Sequence, residues 1–134
     1  MLYLIKLSPE ITIKSRVVRR RFTRQLRKNL FRVLKEFDQK IEVLGKWDSI
    51  EIKTFVSDDS RKSRLLDRLK STPGVGQICL VQKHKLPSMD HMLELTRNAY
   101  SGSLKEKSFA VRCKRTGDHS FSSVDIERFV GHGL

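Results

Sequence analysis

Acidic residues are scarce in this chain: 15 Asp+Glu stand against 28 Lys+Arg, a formal charge of +13 on 134 residues. Cysteine is scarcer still. Cys79 and Cys113 lie far apart and form neither a CxxC redox pair nor a metal-ligand cluster, so they read as buried or incidental thiols. Three prolines and seven glycines, gathered in no tract, exclude a low-complexity or generally disordered chain. No apolar run approaches a membrane span, and the first one, residues 1–7, already contains Lys6 and passes into Ser8-Pro9-Glu10 rather than into a cleavage site. A soluble, cytoplasmic protein without a membrane partner is expected. Aromatics are few, and Trp47, Tyr3 and Tyr100 make no base-stacking series; Trp47 is expected to be partly buried against a sheet.

The motifs of catalysis are missing as well. Residues 72–76, TPGVG, match neither the GxGxxG nor the GxxxxGK[ST] phosphate loop. His84, His91, His119 and His132 lack zinc-like spacing, and the adjacent Asp58 and Asp59 read as a helix-start turn rather than a cation site. The expectation is a chain with no catalytic centre, metal or cofactor of its own. The positive excess instead favours a polyanionic partner through attraction and counterion release, and nucleic acid leads that class.

Residues 1–7 read as a strand with apolar residues on both faces, interrupted at Pro9. From about Ser15 the period changes, and Val18, Phe22, Leu26, Leu30, Val33 and Phe37 mark the buried stripe of a helix of about six turns. Strands at 41–44 and 50–56 flank a turn at 45–49, with Ile50 and Ile52 facing inward. A capping stretch at 57–60 opens a second helix that buries Leu65, Leu66 and Leu69; the Pro-Gly turn at 72–76 ends it, and a strand at 77–83 follows. This order is β-α-β-β-α-β, an α+β ferredoxin-like domain over residues 1–84.

Residues 85–134 form a second unit. A polar connection at 85–88 leads to a helix from Ser88 or Met89 to Tyr100, with Met92, Leu95 and Ala99 as its stripe, ended by Ser101-Gly102-Ser103. A strand at 109–113, a polar loop at 115–120 and a helix from Val124, stopped or bent at Gly131 and Gly133, complete it. An α-β-α unit with one strand cannot satisfy its own sheet pairing, so the unit reads as incomplete and the chain as a piece of something longer. Edges and apolar surface left open in this way also allow a homodimer or docking to a catalytic subunit, an assembly role distinct from RNA binding.

Two surfaces are placed to meet a polyanion. Residues 14–35 hold ten Lys+Arg and no Asp or Glu, and Arg16, Arg20, Arg24, Arg27, Lys28 and Lys35 fall opposite the apolar stripe. Arg19 lies near the boundary, where its stem is expected to pack while its guanidinium escapes to water. On the strand at 109–113, Arg112 and Lys114 share the face opposite Phe109, Val111 and Cys113, and Arg115 and His119 continue the basic run. Ser120, Ser122 and Ser123 lie beside it, and Ser122 or Ser123 is placed to cap the next helix, whose first amides also suit a phosphate.

The stretches PEITIKS at 9–15, KWD at 46–48, TPG at 72–74 and, above all, FAVRCKRTGDHSFSSVDIERFVG at 109–131 resemble the amino-terminal part of the bacterial tRNA 4-thiouridine synthetase, or tRNA sulfurtransferase, family. The resemblance extends over essentially the whole chain. It implies a ferredoxin-like domain followed by the first part of a THUMP domain, together positioning tRNA for thiolation of uridine 8 by a separate PP-loop domain. ATP and a sulfur donor would serve that domain, and some members carry a rhodanese-like domain and supply sulfur for thiamine synthesis. The resemblance also implies an RNA-binding role for Arg112, Lys114, Arg115 and His119, with Ser120, Ser122 and Ser123 beside them. No PP-loop follows Leu134 in this sequence.

Overall fold

The computed structural model describes residues 1–85 and 88–134; the expected connection at 85–88 therefore lies partly outside the described residues. The chain divides into two compact units, Met1–Lys83 and His84–Leu134.

In the first unit, strand β1 (Leu2–Leu7) alternates so that Tyr3, Ile5 and Leu7 are buried while Lys6 is exposed. It is central in an antiparallel sheet of order β2-β3-β1-β4, with β2 at Glu42–Gly45, β3 at Ser49–Lys53 and β4 at Val75–Val81. Ile5 stands opposite Ile50 of β3 and Ile78 of β4, so the inward rows of three strands meet in one apolar layer. Leu26, Leu30 and Leu34 from helix α2 (Arg16–Leu34) and Leu65 and Leu69 from helix α3 (Asp59–Lys70) close that layer. The element order and two-helix core are those of the ferredoxin-like fold.

Three local outcomes differ from the expectation. Pro9 does not merely interrupt the chain: it opens a short helix, α1 (Pro9–Thr12), that buries Ile11. Proline's fixed φ and missing N–H suit the first turn of a helix. The α2 stripe begins only at Leu26 and includes Leu34, whereas Val18 is half-buried and Phe22 exposed, because the core under this helix is confined to its second half. The helix is accordingly nineteen residues, near five turns rather than six. As expected, Asp58 caps α3, accepting the Ser60 N–H at 3.1 Å.

Asp38, just after α2, is buried and binds the far end of β3. Its Oδ2 accepts from the Thr54 hydroxyl and the Phe55 N–H, both at 2.8 Å, and its Oδ1 accepts from the Lys40 N–H at 2.9 Å. Burial pushes this carboxyl up, but the three hydrogen bonds and the nearby Lys40 charge outweigh it and leave the group below its ordinary value. At the other end of the sheet, Gly74 adopts φ +95°, and a Cβ there would lie 3.1 Å from an Ile11 methyl and 3.2 Å from one of Leu26. Both the dihedral and the space require glycine after α3.

In the second unit, helix α4 (Met89–Leu104) is capped by Ser88, which accepts the His91 N–H at 3.3 Å. It does not end at Ser101-Gly102-Ser103 but runs through them, since an exposed glycine late in a helix costs only about 1 kcal/mol relative to alanine. Helix α5 (Ser123–Gly133) likewise passes through Gly131 and ends at Gly133. A Cβ on Gly133 would fall 2.4 Å from Leu93 Cδ2, so this glycine lets α4 and α5 approach rather than stopping the helix early. The expected strand at 109–113 is not formed, and no ladder partner is present among the described residues. Its Cys113 N–H instead donates to Glu127 Oε1 on α5 at 2.8 Å, so a carboxylate takes the place of a neighbouring strand.

Candidate nucleic-acid interface

Helix α2 carries its basic residues outward because its second half spends every fourth position on the core. Arg16, Arg20, Arg24, Arg27, Lys28 and Lys35 are all exposed. No carboxylate is interleaved between residues 14 and 35, and several of these cations lie over aromatic faces. Lys35 Nζ is 4.9 Å from the Phe31 ring centroid.

The first half of α2 meets the β2–β3 turn. There Trp47 is 49% exposed, and the guanidinium carbons of Arg19, Arg16 and Arg20 lie 4.5, 5.6 and 6.0 Å from its ring centroid. Arg19 Nη2 also donates to the Trp47 carbonyl at 3.2 Å. Two expectations are corrected here. Trp47 packs against arginines rather than the sheet, and Arg19 folds onto the indole instead of escaping to water, because a π face and a carbonyl are nearby acceptors for its charge.

Beside this cluster is a cavity of about 250 Å³ lined by Arg20, Thr23, Arg24, Arg27, Gly45, Lys46 and Trp47. Arg20 and Arg24 thus converge on one space, while Lys28 lies on the same helix outside it. Lys46 directs its ammonium to Glu51, which also pairs with Lys83 at 3.2 Å. The Lys46 hydrogen bond, working against burial and helped by Lys83, lowers the Glu51 carboxyl below its ordinary value. Thr23, Gly45 and Lys46 were not evident as site residues from sequence: Thr23 is a neutral residue within the basic helix, and only the folded hairpin brings Gly45 and Lys46 to it.

In the second unit the basic run organises its own loop. Arg115 Nη1 donates to the carbonyls of Phe121 at 2.8 Å and His119 at 3.4 Å. His119 Nε2 donates to the Thr116 carbonyl at 2.7 Å, and its ring stacks on Phe121 with centroids 5.4 Å apart. Gly117, at φ +78°, permits the turn between them. Arg112 and Lys114 are exposed, with Arg112 Nη1 donating to the Val111 carbonyl at 3.2 Å. Ser120 is exposed on the same loop.

Ser122 is the N-cap of α5: its hydroxyl accepts the Asp125 N–H at 3.1 Å, and Asp125 Oδ2 accepts the Ser122 N–H at 3.0 Å. The Ser122 N–H, and then the Ser122 hydroxyl, hold the Asp125 carboxyl below its ordinary value. Ser123 is the first residue of the helix and is half-buried. The ten residues singled out from sequence therefore fall into two groups, one on α2 and one on the loop and helix start at 112–123.

Comparison with known proteins bears on what these groups serve. The family described as the ThiI ferredoxin-like domain matches residues 2–79, which contain the whole four-stranded sheet but for the end of β4. This chain belongs to that family. Relatives of the ThiI-type chain include a tRNA sulfurtransferase of Pseudomonas aeruginosa, 43% identical over 134 residues, all of this chain and 28% of the relative. A tRNA sulfurtransferase of Azotobacter vinelandii is 44% identical over 131 residues, 98% of this chain and 27% of its own length. One from Pseudomonas putida is 42% identical over 134 residues. The ThiI-type chain thus spans little more than a quarter of the relatives it matches, and no solved structure matches it significantly. Among its described residues no group of three His, Cys, Asp or Glu could hold a metal ion, and no helix is long and apolar enough to cross a membrane.

Proposed function

We propose that this chain binds tRNA and positions it for uridine thiolation by a PP-loop domain outside these 134 residues, where ATP and a sulfur donor are consumed. The acid-free, outward-facing arginine ridge of α2 carries the reading, because a one-signed surface repels itself until an anion neutralises it. Membership of the ThiI ferredoxin-like family and the relatives' name, tRNA sulfurtransferase, support tRNA as that anion. Residues 85–134 are, in this reading, the first part of a THUMP domain. Arg112, Lys114 and Arg115 contact phosphate there, with His119, Ser120, Ser122 and Ser123 beside them; Arg20, Arg24 and Lys28 of the ferredoxin-like unit are a separate set of contacts to the same RNA. Positioning of this kind contributes to catalysis without any bond being made by the chain itself.

The test is fluorescence anisotropy of the purified chain with unmodified tRNA, single-stranded RNA and duplex DNA at several salt concentrations. Preference for tRNA is expected, and Lys114→Ala should weaken binding while lowering the salt slope by about one. Equal affinity for all three ligands would reduce the chain to a generic basic surface. No binding, with a dimer that survives high salt, would replace the reading with an assembly role.

A further inference from the structure

We propose that the cavity between α2 and the β2–β3 turn is a seat for a single phosphate group, supplied by the backbone of bound RNA. The proposal deepens the tRNA reading and rests on it only for the source of the phosphate. Arg20, Arg24 and Arg27 follow one another at spacings of four and three, so their guanidiniums leave the helix on the same side and converge. Thr23 sits between them. Among the described residues no Asp or Glu lines the space.

Three details indicate a built site rather than a chance cluster. The Arg27 stem crosses the hairpin where β2 ends: a Cβ on Gly45 would lie 3.2 Å from Arg27 Cδ, so the absence of a side chain there lets the guanidinium reach the cavity. Trp47 holds Arg20 together with Arg16 and Arg19, which fixes a crowded set of like charges before any ligand arrives. The Thr23 hydroxyl is enclosed and has no hydrogen-bond partner among the described residues. Arg20 and Arg24, both exposed, line the same space as Thr23, and a ligand oxygen seated between them gives the hydroxyl an acceptor.

Size and chemistry narrow the ligand class. A space of about 250 Å³ is smaller than the roughly 300–1,000 Å³ of sites that enclose whole small molecules, and suits an oxyanion whose remainder stays outside. Planar guanidiniums bind phosphate oxygens in pairs, and one phosphate relieves the mutual repulsion of three of them. Lys46 adds little free charge, because Glu51 already engages it.

Trp47 is the sole tryptophan of the chain, so its emission reports this site without a label. The experiment follows that emission while wild type, Thr23→Val, Arg24→Gln and Arg68→Gln are titrated with tRNA and, separately, with inorganic phosphate, circular dichroism confirming that each variant is folded. Arg68 is on α3, outside the cavity, and its replacement removes the same formal charge. Arg24→Gln should weaken tRNA binding about tenfold and lower the salt slope by about one, as loss of a phosphate contact requires. Thr23→Val should weaken it a fewfold with the slope unchanged, since the slope counts charges and not neutral donors. Arg68→Gln should stay within about twofold of wild type.

Binding of tRNA with Trp47 silent, and with Arg24→Gln no worse than Arg68→Gln, overturns the seat and leaves the tRNA reading standing. Absence of tRNA binding, with a phosphate-induced change in Trp47 emission that Thr23→Val removes, keeps the seat but makes a free phosphate its ligand. That second outcome overturns the tRNA reading instead.

Discussion

Replacing Asp38 with asparagine should weaken the first unit by about 2 kcal/mol at neutral pH, and by progressively less in acid. The side chain receives three hydrogen bonds, two at one oxygen and one at the other. Asparagine retains one accepting oxygen and must turn its amide toward a donor. If that oxygen stays on Thr54 and Phe55, both bonds fall from the roughly 1.5–3 kcal/mol of a charged acceptor to the roughly 0.5–1.5 kcal/mol of a neutral one, while the part-buried amide of Lys40 turns to water. The loss is about 1 kcal/mol for each retained bond.

Because the folded state holds this carboxyl below its ordinary value, its stabilisation is fully present above the unfolded-state value, near pH 4, and is lost as pH falls through the folded-state value. Urea unfolding followed by Trp47 emission reads the first unit, in which Trp47 lies. The gap between wild type and Asp38→Asn should be constant from pH 7 to about pH 5 and close below pH 4. A gap that persists unchanged to pH 2.5, or none at pH 7, would refute the charge-based account of this knot.

Substitutions at two further positions separate backbone space from capping. Gly76→Ala should cost about 3 kcal/mol or more, seen as a large fall in the unfolding midpoint, because the new Cβ would sit 2.9 Å from the Leu7 carbonyl oxygen at the β1–β4 bulge, where only backbone can give way. Ser122→Ala should cost about 1 kcal/mol through loss of the α5 cap, read by thermal unfolding and reduced helical circular dichroism, and Ser122→Asp should restore most of it.

The order of elements in the first unit was legible because period changes are local: alternation over residues 2–7 and 49–53 and the run of leucines in α2 each report their own partner face. What failed depended on neighbours. Val18 and Phe22 satisfy helical spacing as well as Leu26 and Leu30 do, and only the extent of the core under α2 decides which are covered. Residues 109–113 alternate like a strand, yet a ladder needs a second strand, and Glu127 supplies the bond to Cys113 instead. Gly131 and Gly133 read as stops until Leu93 is seen against Gly133. At the candidate site, the basic face of α2 followed from charge and helical geometry. The cavity did not, because Thr23, Gly45 and Trp47 come from segments that meet only when the hairpin closes on the helix.

The central place of β1 has a consequence for synthesis. Of the four strands β1 is made first, and it pairs on one edge with residues up to 53 and on the other with residues up to 81, so most of the first unit's length must emerge before both edges are covered. Until then an apolar strand carries open amides and carbonyls, the state in which nascent chains are prone to pair with one another. Such non-local pairing also slows folding relative to a helical bundle of similar length. The window closes when Val81 pairs with Leu2, after which the two edges left to the sheet are β2 and β4.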